Sequence, residues 1–526
     1  MLVPLLLLLA WQAPDTFIVT GTMVDHLQNR PLNYILVTLT STQDRKLTVS
    51  TITAADGRFG FNNVPAGKYS LSAQRRGNSP PQNYRQDDQY STAIAVGPGL
   101  ASQNIVFPLE APGSISGTVL DQGGDPAINV RVSLFRKAVS GGRPEIQMFG
   151  QHQADRSGAF HIGHLGPGTY FIAVSAQPWY ARSLPQIAGQ PNPEMDVAYP
   201  VTYYGDTTDP ASATAVNLAE GGAATIQINL RTVPAVHLDL GAGAMAGAAE
   251  RPHPPPILAV ETLGGNTISI TPTMVGVNGR EELGGIAPGH YVLRRMNVNE
   301  QFNRVGPGAR IDIAGNTSLA AAEPKTTSLS GQVTFEGSAR PPGQPLLQFS
   351  CAHRPFIVRI SKDGSLQPGG ETLETGHCDV ALANAPGFYL KSVAARDAKA
   401  STDAVDLIEG ADNRITAVAA KGAMSEVTGV TVDNEKPLSS AMVLLVPEDL
   451  TRASLFRRDQ SDSDGSFALA NVLPGRYTLL AIDNGKELAY RDPAVIQPYL
   501  VQGAALEFPR PNNALIKVNV IARRAN

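Results

Sequence analysis

The chain has 526 residues and a formal net charge of −4 at pH 7, so it is too long for one compact domain and lacks the basic excess typical of nucleic-acid binding. It contains 50 glycines, 40 prolines and only 17% charged residues, which argues against coiled coils, long helical bundles and acidic disordered chains. Frequent Gly and Pro between runs of Val, Ile, Leu, Phe and Tyr predict many short strands joined by tight turns.

The chain begins with the apolar run MLVPLLLLLA. About ten apolar residues suit the core of a signal peptide and are fewer than the ~20 that cross a bilayer. No Lys or Arg precedes the run, and Ala10 and Ala13 lack the A-x-A spacing, so an apolar first strand is the alternative. Because the run does not alternate as a half-buried strand would, we favour a signal peptide at 1–13 and export to the periplasm, cell surface or medium. After removal of this leader no membrane span is expected, since no later segment reaches 18 uninterrupted apolar residues.

One pattern recurs along the chain: a glycine, two apolar residues two positions apart, an aliphatic residue, a Pro-Gly turn and a tyrosine. Four copies place the glycine 12 residues before the tyrosine, namely Gly57 to Tyr69, Gly158 to Tyr170, Gly279 to Tyr291 and Gly465 to Tyr477. A fifth, weaker copy runs from Gly376 to Tyr389 with one extra residue. Successive tyrosines are 101, 121, 98 and 88 residues apart, which is the size of an immunoglobulin-like sandwich rather than of a solenoid repeat.

The first copy shows the physical sense of the pattern. Asp56-Gly57 is a turn dipeptide, and the side chains of Phe59 and Phe61 should share one face of the strand that follows. The buried Tyr69 needs a partner for its hydroxyl group, which the backbone of the Pro-Gly turn would provide. Upstream, a strand led by a glycine precedes a proline that lies six residues before a valine. Together these signals predict an antiparallel β-sandwich.

The order G-x-V, P…V-x-L and D-x-x-G-x-F…L-x-P-G-x-Y resembles the carboxypeptidase regulatory-like domain, a transthyretin-like sandwich often grouped with carbohydrate-binding-like folds. The match is good in 14–110, 111–175 and 423–485, confined to the distal half of 233–323, and degenerate in 324–422. The tandem arrangement also resembles long exported bacterial proteins built from such domains. In the carboxypeptidases this domain sits behind the zinc enzyme and does not catalyse, so the resemblance implies a structural or binding accessory module.

The expected architecture is therefore all-β, with about five tandem immunoglobulin/transthyretin-like antiparallel β-sandwiches. The second carries an insertion and a tail, and the third and fourth are divergent. The expected domains are 14–110, 111–232, 233–323, 324–422 and 423–526.

The sequence offers no recognisable catalytic or metal motif. None of the nine histidines belongs to an H-x-x-E or H-E-x-x-H pair, and no G-x-S-x-G elbow, Walker A loop or Rossmann fingerprint is present. The only close pair, His161 and His164, should face opposite sides of a strand. We therefore expect no catalytic residue, metal or cofactor. A hydrolase with an unrecognised pair of carboxylates is a further alternative, because two acidic residues distant in sequence can converge in one cleft.

The two cysteines, Cys351 and Cys378, lie 27 residues apart in the fourth expected domain. They form either a disulfide, as export would permit, or two buried thiols on neighbouring strands. Both alternatives stay open.

Aromatic residues cluster in and after the insertion of the second domain. Trp179 and Tyr180 are adjacent there, and Tyr203 and Tyr204 follow in the tail. Exposed rings on a rigid scaffold can stack on sugar faces, whereas buried rings would cap the domain or form its joint with the next, which is the reading we favour. Elsewhere, the loop 75–90 is rich in Arg, Asn, Gln and Pro and is predicted to be solvated.

Taken together, these signals indicate a non-catalytic exported protein that acts as a structural, adhesion or interaction scaffold at the cell surface. The first alternative is a carbohydrate-binding accessory protein that uses the aromatic platform around Trp179. The expected partner is a polysaccharide or another surface protein, and not a nucleic acid.

Overall fold

A computed structural model gives the fold of the chain. The residues it describes are 15–77, 79–182, 192–242, 256–277, 280–294, 296–298, 303–305, 308–322, 325–337, 340–351, 355–369, 373–396, 401–422, 425–509 and 515–523. The expected leader at 1–13 and Gly279 of the third repeat copy lie outside them.

The first sandwich packs two sheets around one apolar core. Its sheets have the strand orders β4-β1-β8 and β3-β2-β5-β6, and β7 also pairs with β5. The strands are β1 (Thr16–Asp25), β2 (Leu36–Ser41), β3 (Thr48–Ile52), β4 (Arg58–Pro65), β5 (Gly67–Gln74), β6 (Gln82–Asn83), β7 (Ile94–Val96) and β8 (Ile105–Leu109).

The second sandwich repeats this plan with orders β12-β9-β17 and β11-β10-β13-β15, and β16 also pairs with β13. The strands are β9 (Gly113–Leu120), β10 (Arg131–Ser140), β11 (Arg143–Gln153), β12 (Ala159–Leu165), β13 (Gly168–Ser175), β14 (Val197–Ala198), β15 (Thr202–Tyr203), β16 (Val216–Leu218) and β17 (Ala223–Asn229). A small pair joins β14 to β18 (Val233–Pro234), at the passage to the third sandwich.

The third sandwich has the orders β22-β23-β19-β28 and β21-β20-β24-β27-β29, with a separate β25-β26 pair. The strands are β19 (Val236–Ala242), β20 (Ile257–Glu261), β21 (Thr267–Ile270), β22 (Thr273–Val277), β23 (Arg280–Ile286), β24 (Gly289–Arg294), β25 (Met296–Val298), β26 (Asn303–Val305), β27 (Ala309–Ile313), β28 (Thr317–Ser318) and β29 (Lys325–Thr326).

The fourth sandwich has the orders β30-β37-β35 and β33-β32-β31-β34-β36. The strands are β30 (Ser328–Phe335), β31 (Leu346–Ser350), β32 (Pro355–Ile360), β33 (Leu366–Pro368), β34 (Gly376–Ala383), β35 (Phe388–Ala395), β36 (Ala404–Leu407) and β37 (Asp412–Lys421). Cys351 and Cys378 are joined by a disulfide in its core, so of the two alternatives left open by the sequence the structure has the bonded one.

In the fifth sandwich the strands join into one sheet of order β39-β38-β45-β43-β40-β41, with β42 on β38 and β44 on β43. The strands are β38 (Ser425–Asp433), β39 (Lys436–Pro437), β40 (Met442–Pro447), β41 (Arg457–Gln460), β42 (Ser466–Val472), β43 (Gly475–Asp483), β44 (Ala504–Phe508) and β45 (Ile516–Ala522). One short helix, α1 (Pro493–Leu500), and three 3-10 turns (Pro210–Ser212, Leu263–Gly265 and Ala453–Leu455) complete the described regular structure.

The expected fold class, all-β with tandem sandwiches, is confirmed, with one feature that the motifs did not predict. In each sandwich the first strand pairs in parallel with a late strand, namely β1 with β8, β9 with β17, β19 with β28, β30 with β37 and β38 with β45. Because parallel strands run in one direction, the chain leaves each of these sheets at the end opposite to the one at which it enters.

The described chain divides into two compact units. One contains the first and fifth sandwiches and comprises Met1–Ala111, Ser425–Glu448 and Phe456–Asn526. The other contains the second, third and fourth sandwiches and comprises Pro112–Met424 and Asp449–Leu455. Tandem order along the chain therefore does not by itself decide which sandwiches are neighbours.

The tyrosine of the repeat has the role that the sequence predicts. The hydroxyl of Tyr69 donates to the carbonyl of Pro65 at 2.9 Å, and the ring is 5% exposed. The corresponding hydroxyls each donate to the carbonyl four residues earlier, from Tyr170 to Gly166 (2.8 Å), Tyr291 to Ala287 (2.5 Å) and Tyr477 to Leu473 (3.0 Å). One side chain thus fills the core and fixes the turn that precedes its strand.

The glycine that leads the first strand allows a close approach. A Cβ atom on Gly21 would lie 2.5 Å from the ring of Phe59 and closer still to the carbonyl oxygen of Ile105 on the parallel strand. The same environment surrounds Gly117, beside Phe160 and Ile226, and Gly429, beside Phe467 and Ile516. The repeated Phe and the repeated Gly are therefore two halves of one packing contact, made over the parallel strand pair.

The Phe-bearing strand bends before the Pro-Gly turn. Its pairing register shifts between Phe61 and Val64 in the first sandwich, and equivalent shifts occur in the second and fifth. A residue with positive φ marks each shift, namely Asn63, His164 and Asn471. This bulge corrects one expectation: His161 and His164 are both exposed, because strict two-residue alternation ends between them.

The weak fifth copy of the repeat, Gly376 to Tyr389, is a wrong alignment. The copy begins in β34, which pairs with β31 and β36. In the first sandwich β5, the strand that carries the tyrosine of the repeat, pairs with β2 and β7 in the same way. Strand β34 therefore corresponds to β5 and not to the strand that precedes the Pro-Gly turn. The true turn glycine is Gly364, which has φ +90° and where a Cβ atom would clash with the carbonyl oxygen of Val333, 2.5 Å away. The signal was the Asp363-Gly364 dipeptide, which the absence of a following Phe-x-Phe pair obscured.

Replacing Tyr69 with Phe removes one hydrogen bond and keeps the buried ring. We expect Tyr69→Phe to lower the free energy of unfolding of the first sandwich by about 0.5–1.5 kcal/mol, because the carbonyl of Pro65 loses its donor. Denaturant unfolding measures this change. The control is Tyr34→Phe, whose side chain is 75% exposed. An equal effect at both positions would contradict the structural role of the Tyr69 hydroxyl.

Adding a methyl group at Gly21 should be costly because neither Phe59 nor the main chain of Ile105 can withdraw freely. We expect Gly21→Ala to destabilise the first sandwich by about 1–3 kcal/mol or more. Gly315→Ala is the control, since nothing lies within 4 Å of the Cβ position there. Equal thermal midpoints for the two variants would show that the Phe–Gly contact is not tight.

Candidate functional site

Two of the four aromatic residues of the predicted platform are covered. Tyr203 is 1% exposed and lies in an apolar cluster shared by the second and third sandwiches. The Tyr204 ring is partly buried and packs against the core of the second sandwich. The buried members of the shared cluster are Phe135, Ala173, Val201, Tyr203, Leu263 and Ile268. Because Tyr203 is buried, it presents no free ring face to a sugar.

The other two aromatic residues lie together near the surface. Trp179 is 68% exposed, and its ring meets Tyr180 edge to face with centroids 5.7 Å apart. Gln122 lies between two tyrosines: its amide donates to the Tyr180 hydroxyl at 2.5 Å, and its carbonyl accepts from Tyr199 at 2.8 Å. Burial is the main reason that the pKa of Tyr199 is raised to about 12. Its hydroxyl therefore keeps its proton near neutral pH. These hydrogen bonds hold Tyr180, the ring against which the exposed indole packs.

Trp179 borders a cleft of about 750 Å³ between the second and third sandwiches. The second sandwich contributes Arg131, His152 and Arg182, and the third contributes Ser269, Thr271 and Tyr291. Hydrogen bonds cross from one side to the other, from Arg131 to the carbonyl of Ser269 (3.3 Å) and from Gln177 to the carbonyl of Thr271. The cleft therefore has walls held together by direct bonds.

The junction of these two sandwiches is also fixed away from the cleft. The side-chain amide of Asn266 donates to the carbonyl of Ile146 at 2.8 Å, and its oxygen accepts from the amide of Met148 at 3.3 Å. Gly264 lies so close to Ile146 that a Cβ atom would clash with its carbonyl oxygen. Main chain and side chains thus define one arrangement of the two sandwiches.

A buried imidazole lies at the same junction. His237 Nε2 is 2.8 Å from Asp196 Oδ2, and Nδ1 contacts Glu282 Oε1. All three residues are at most 8% exposed, so a substrate cannot reach them from solvent. The hydrolase alternative requires two acidic side chains in one open cleft, and the described lining of the cleft next to Trp179 contains neither Asp nor Glu.

No three His, Cys, Asp or Glu side chains come together to hold a metal ion in the part of the chain that the structure describes. None of the described helices has the length and apolarity needed to cross a membrane.

The first and fifth sandwiches contact each other through a second set of residues, here called the terminal interface. Arg458 contacts Asp87 at 2.5 Å and lies over the ring of Tyr90, 4.6 Å from its centroid. The two charged side chains are only 5% and 14% exposed. They are 371 positions apart in the sequence, so the contact connects the two ends of the chain.

Further polar contacts extend the terminal interface. Lys68 pairs with Asp462 at 2.5 Å, and the Thr92 and Ser440 hydroxyls are 2.7 Å apart. Main-chain amides also take part: Ala93 donates to Asp462 at 3.1 Å, and Ala95 to Ser463 at 2.8 Å. Desolvation is the main cause that raises the pKa of Asp462, although the bond from Lys68 opposes it.

Sequence reasoning missed most of this arrangement. The loop 75–90 is not wholly solvated as expected, because Tyr84 is 7% exposed and Asp87 is largely covered by the fifth sandwich. A loop that contains both Arg and Asp is predicted to be solvated, because the sequence does not show that Asp87 pairs with a residue hundreds of positions away. Gln122, which orders the Trp179 region, carries no sequence signal of its own.

Removing the Arg458 guanidinium should loosen the terminal interface, since the nearly buried Asp87 carboxylate would lose its partner. We expect Arg458→Met to weaken the interface by about 3–5 kcal/mol. Hydrogen exchange at the amides of Ala93 and Ala95, which donate across the interface, should become faster. Lys517→Ala is the control, since it breaks an exposed pair with Glu435. Unchanged exchange at both amides in Arg458→Met would refute the interface.

Comparison with known proteins identifies one domain directly. Residues 18–103, which lie in the first sandwich, match the family model of the carboxypeptidase regulatory-like domain. This confirms the resemblance stated from the sequence for that segment. A search of the curated proteins found no match to this chain.

Solved structures with some likeness to this chain include three pilins. The minor pilin GBS52 of Streptococcus agalactiae is 18% identical over 41% of this chain and 96% of its own, with a TM-score of 0.22. A streptococcal ancillary pilin is 14% identical over 58% and 98%, with a TM-score of 0.19. The shaft pilin SpaA of Lactobacillus rhamnosus GG is 9% identical over 42% and 98%, with a TM-score of 0.19. TM-scores this low support no inference about the present chain, whose identified relationship is the regulatory-like domain at 18–103.

Proposed function

We propose that this protein is a non-catalytic scaffold exported to the cell surface, where it serves adhesion or assembly. The observation that carries the proposal is that neighbouring sandwiches are joined by buried contacts of their own. The second and third share an apolar cluster that includes Tyr203, and the first and fifth share the Arg458–Asp87 pair. Such joints hold domains in set positions, as a scaffold requires, whereas domains on free linkers move independently.

The use of the repeated side chains supports the same proposal. Tyr69 and its three counterparts fix turns, and the Phe–Gly contact at Gly21 and its equivalents closes the sheets. These residues define the repeat, and they act in packing and backbone hydrogen bonding. The match of 18–103 to a regulatory-like domain agrees with an accessory role. The hydrolase alternative gains no support from the described cleft.

A second candidate function is carbohydrate binding, which one observation favours. Trp179 is exposed, held in place by Tyr180, and located at the border of a cleft of about 750 Å³. Ligand sites in proteins commonly have such a volume, and an exposed indole offers a face on which a sugar ring can stack. The platform is then the single ring pair at Trp179 and Tyr180, without Tyr203 and Tyr204.

A deletion strain of the source organism tests the scaffold proposal. The chain with a carboxyl-terminal epitope tag should be accessible to antibody on intact cells, and deletion should reduce attachment of the cells to a surface or to one another. Wild type and Trp179→Ala should restore attachment, whereas Arg458→Met should restore it poorly because the terminal interface is weakened.

Two results would overturn the scaffold proposal: a tag found only inside the cells, or attachment that is unaffected by deletion. A third result, in which Arg458→Met restores attachment but Trp179→Ala does not, would favour the carbohydrate-binding candidate instead.

A further inference from the structure

We infer that the cleft beside Trp179 binds an acidic saccharide, such as a stretch of polysaccharide that carries uronate or sulfate groups. This inference rests on the second candidate function and adds the charge class of the ligand. It depends on three properties of the cleft: an ordered exposed ring, cationic side chains without acidic neighbours in the lining, and walls rich in amides and hydroxyls.

The first property is the position of the indole. Trp179 is exposed and meets Tyr180 edge to face, and the Tyr180 hydroxyl is bonded to Gln122. Gln122 is bonded in turn to Tyr199, which is 9% exposed. The ring is therefore anchored to the body of the second sandwich while its surface remains open. A pre-ordered aromatic face loses little entropy when a sugar ring stacks on it.

The second property is charge. Arg131 and Arg182 line the cleft, and its described lining contains no Asp or Glu. Among the described residues, neither guanidinium forms an ion pair: Arg131 donates to the carbonyl of Ser269 and Arg182 to that of Ala181. A concave site lined by positive charges concentrates the electrostatic field and attracts anions. The planar guanidinium also matches the geometry of carboxylate and sulfate oxygens.

The cleft arginines differ from those arginines of the chain that are paired with a carboxylate. Arg143 contacts Asp379, Arg310 lies 2.7 Å from Glu261, and Arg458 contacts Asp87, so each has a carboxylate partner. The cleft arginines donate to neutral carbonyl oxygens and are exposed to solvent, so an added anion can pair with them. Binding an anion there would supply the missing partner.

The third property is the supply of neutral polar groups. Gln151, Gln153, Ser175 and Thr271 line the same cleft. Amides and hydroxyls can both donate and accept, as sugar hydroxyls require. An acidic peptide would use the arginines but gains less from an indole and a row of amides. The combination of indole, amides and cations therefore favours a saccharide over a peptide.

Binding measurements on the full chain test the inference. The probes are polygalacturonate and heparin as acidic polysaccharides, dextran and xylan as neutral ones, and poly-glutamate as an acidic peptide. We expect the acidic polysaccharides to bind at least 10-fold more tightly than the neutral ones, with an affinity that falls as salt is raised. Arg131→Gln combined with Arg182→Gln should abolish this preference. Arg58→Gln is the matched control, since its exposed side chain pairs with Asp56 in the first sandwich.

Trp179→Ala separates the inference from the function on which it rests. Loss of acidic polysaccharide binding in Trp179→Ala and in the double arginine variant, with unaltered thermal unfolding, would support both. Equal binding of neutral and acidic polysaccharides that is lost only in Trp179→Ala would keep carbohydrate binding and overturn the acidic class. Binding of poly-glutamate alone would overturn the saccharide in favour of a peptide, and no binding to any probe would overturn both.

Discussion

The first, second and fifth sandwiches depend on how closely a strand can approach a phenylalanine ring of the neighbouring strand. At Gly21, Gly117 and Gly429 a side chain as small as a methyl group would collide with the ring and with the parallel strand. The glycine therefore sets the position of the closing strand, and that strand completes the sheet from which the chain leaves the sandwich. In these three sandwiches the contact between the ring and the glycine thus fixes the position of the last strand of the sheet.

The two joints between sandwiches differ in their contacts, although polar contacts occur in both. The second and third share buried apolar side chains around Tyr203, so their association gains from removing hydrocarbon from water. The first and fifth meet through ion pairs and hydrogen bonds, such as that between Arg458 and Asp87. Removing one partner of such a nearly buried pair destabilises the interface strongly, although the intact pair adds little net stability.

Local motifs predicted the parts of the fold that local physics determines. The spacing of Phe59, Phe61 and Tyr69 predicted one buried strand face and a hydrogen bond from the tyrosine hydroxyl to the preceding turn. Both features depend on neighbours within about a dozen residues. The parallel strand pairs and the terminal interface were not predicted, since they join positions far apart in the sequence.

The repeat was misaligned in the fourth sandwich because no pair of aromatic residues follows its Asp363-Gly364 turn. For the candidate site, the sequence indicated Trp179, but only the structure shows that Tyr203 is buried and that two arginines line the same cleft as the indole.

The terminal interface joins residues that belong to one molecule, which changes the affinity it needs. A tethered partner acts at an effective concentration set by the connecting chain and not by the protein concentration, so a contact too weak to hold two separate proteins can stay formed. Polar interfaces between domains resemble transient complexes in area and composition. A single cut in the main chain between the first and fifth sandwiches would turn this contact into a bimolecular association, and dilution would then weaken it.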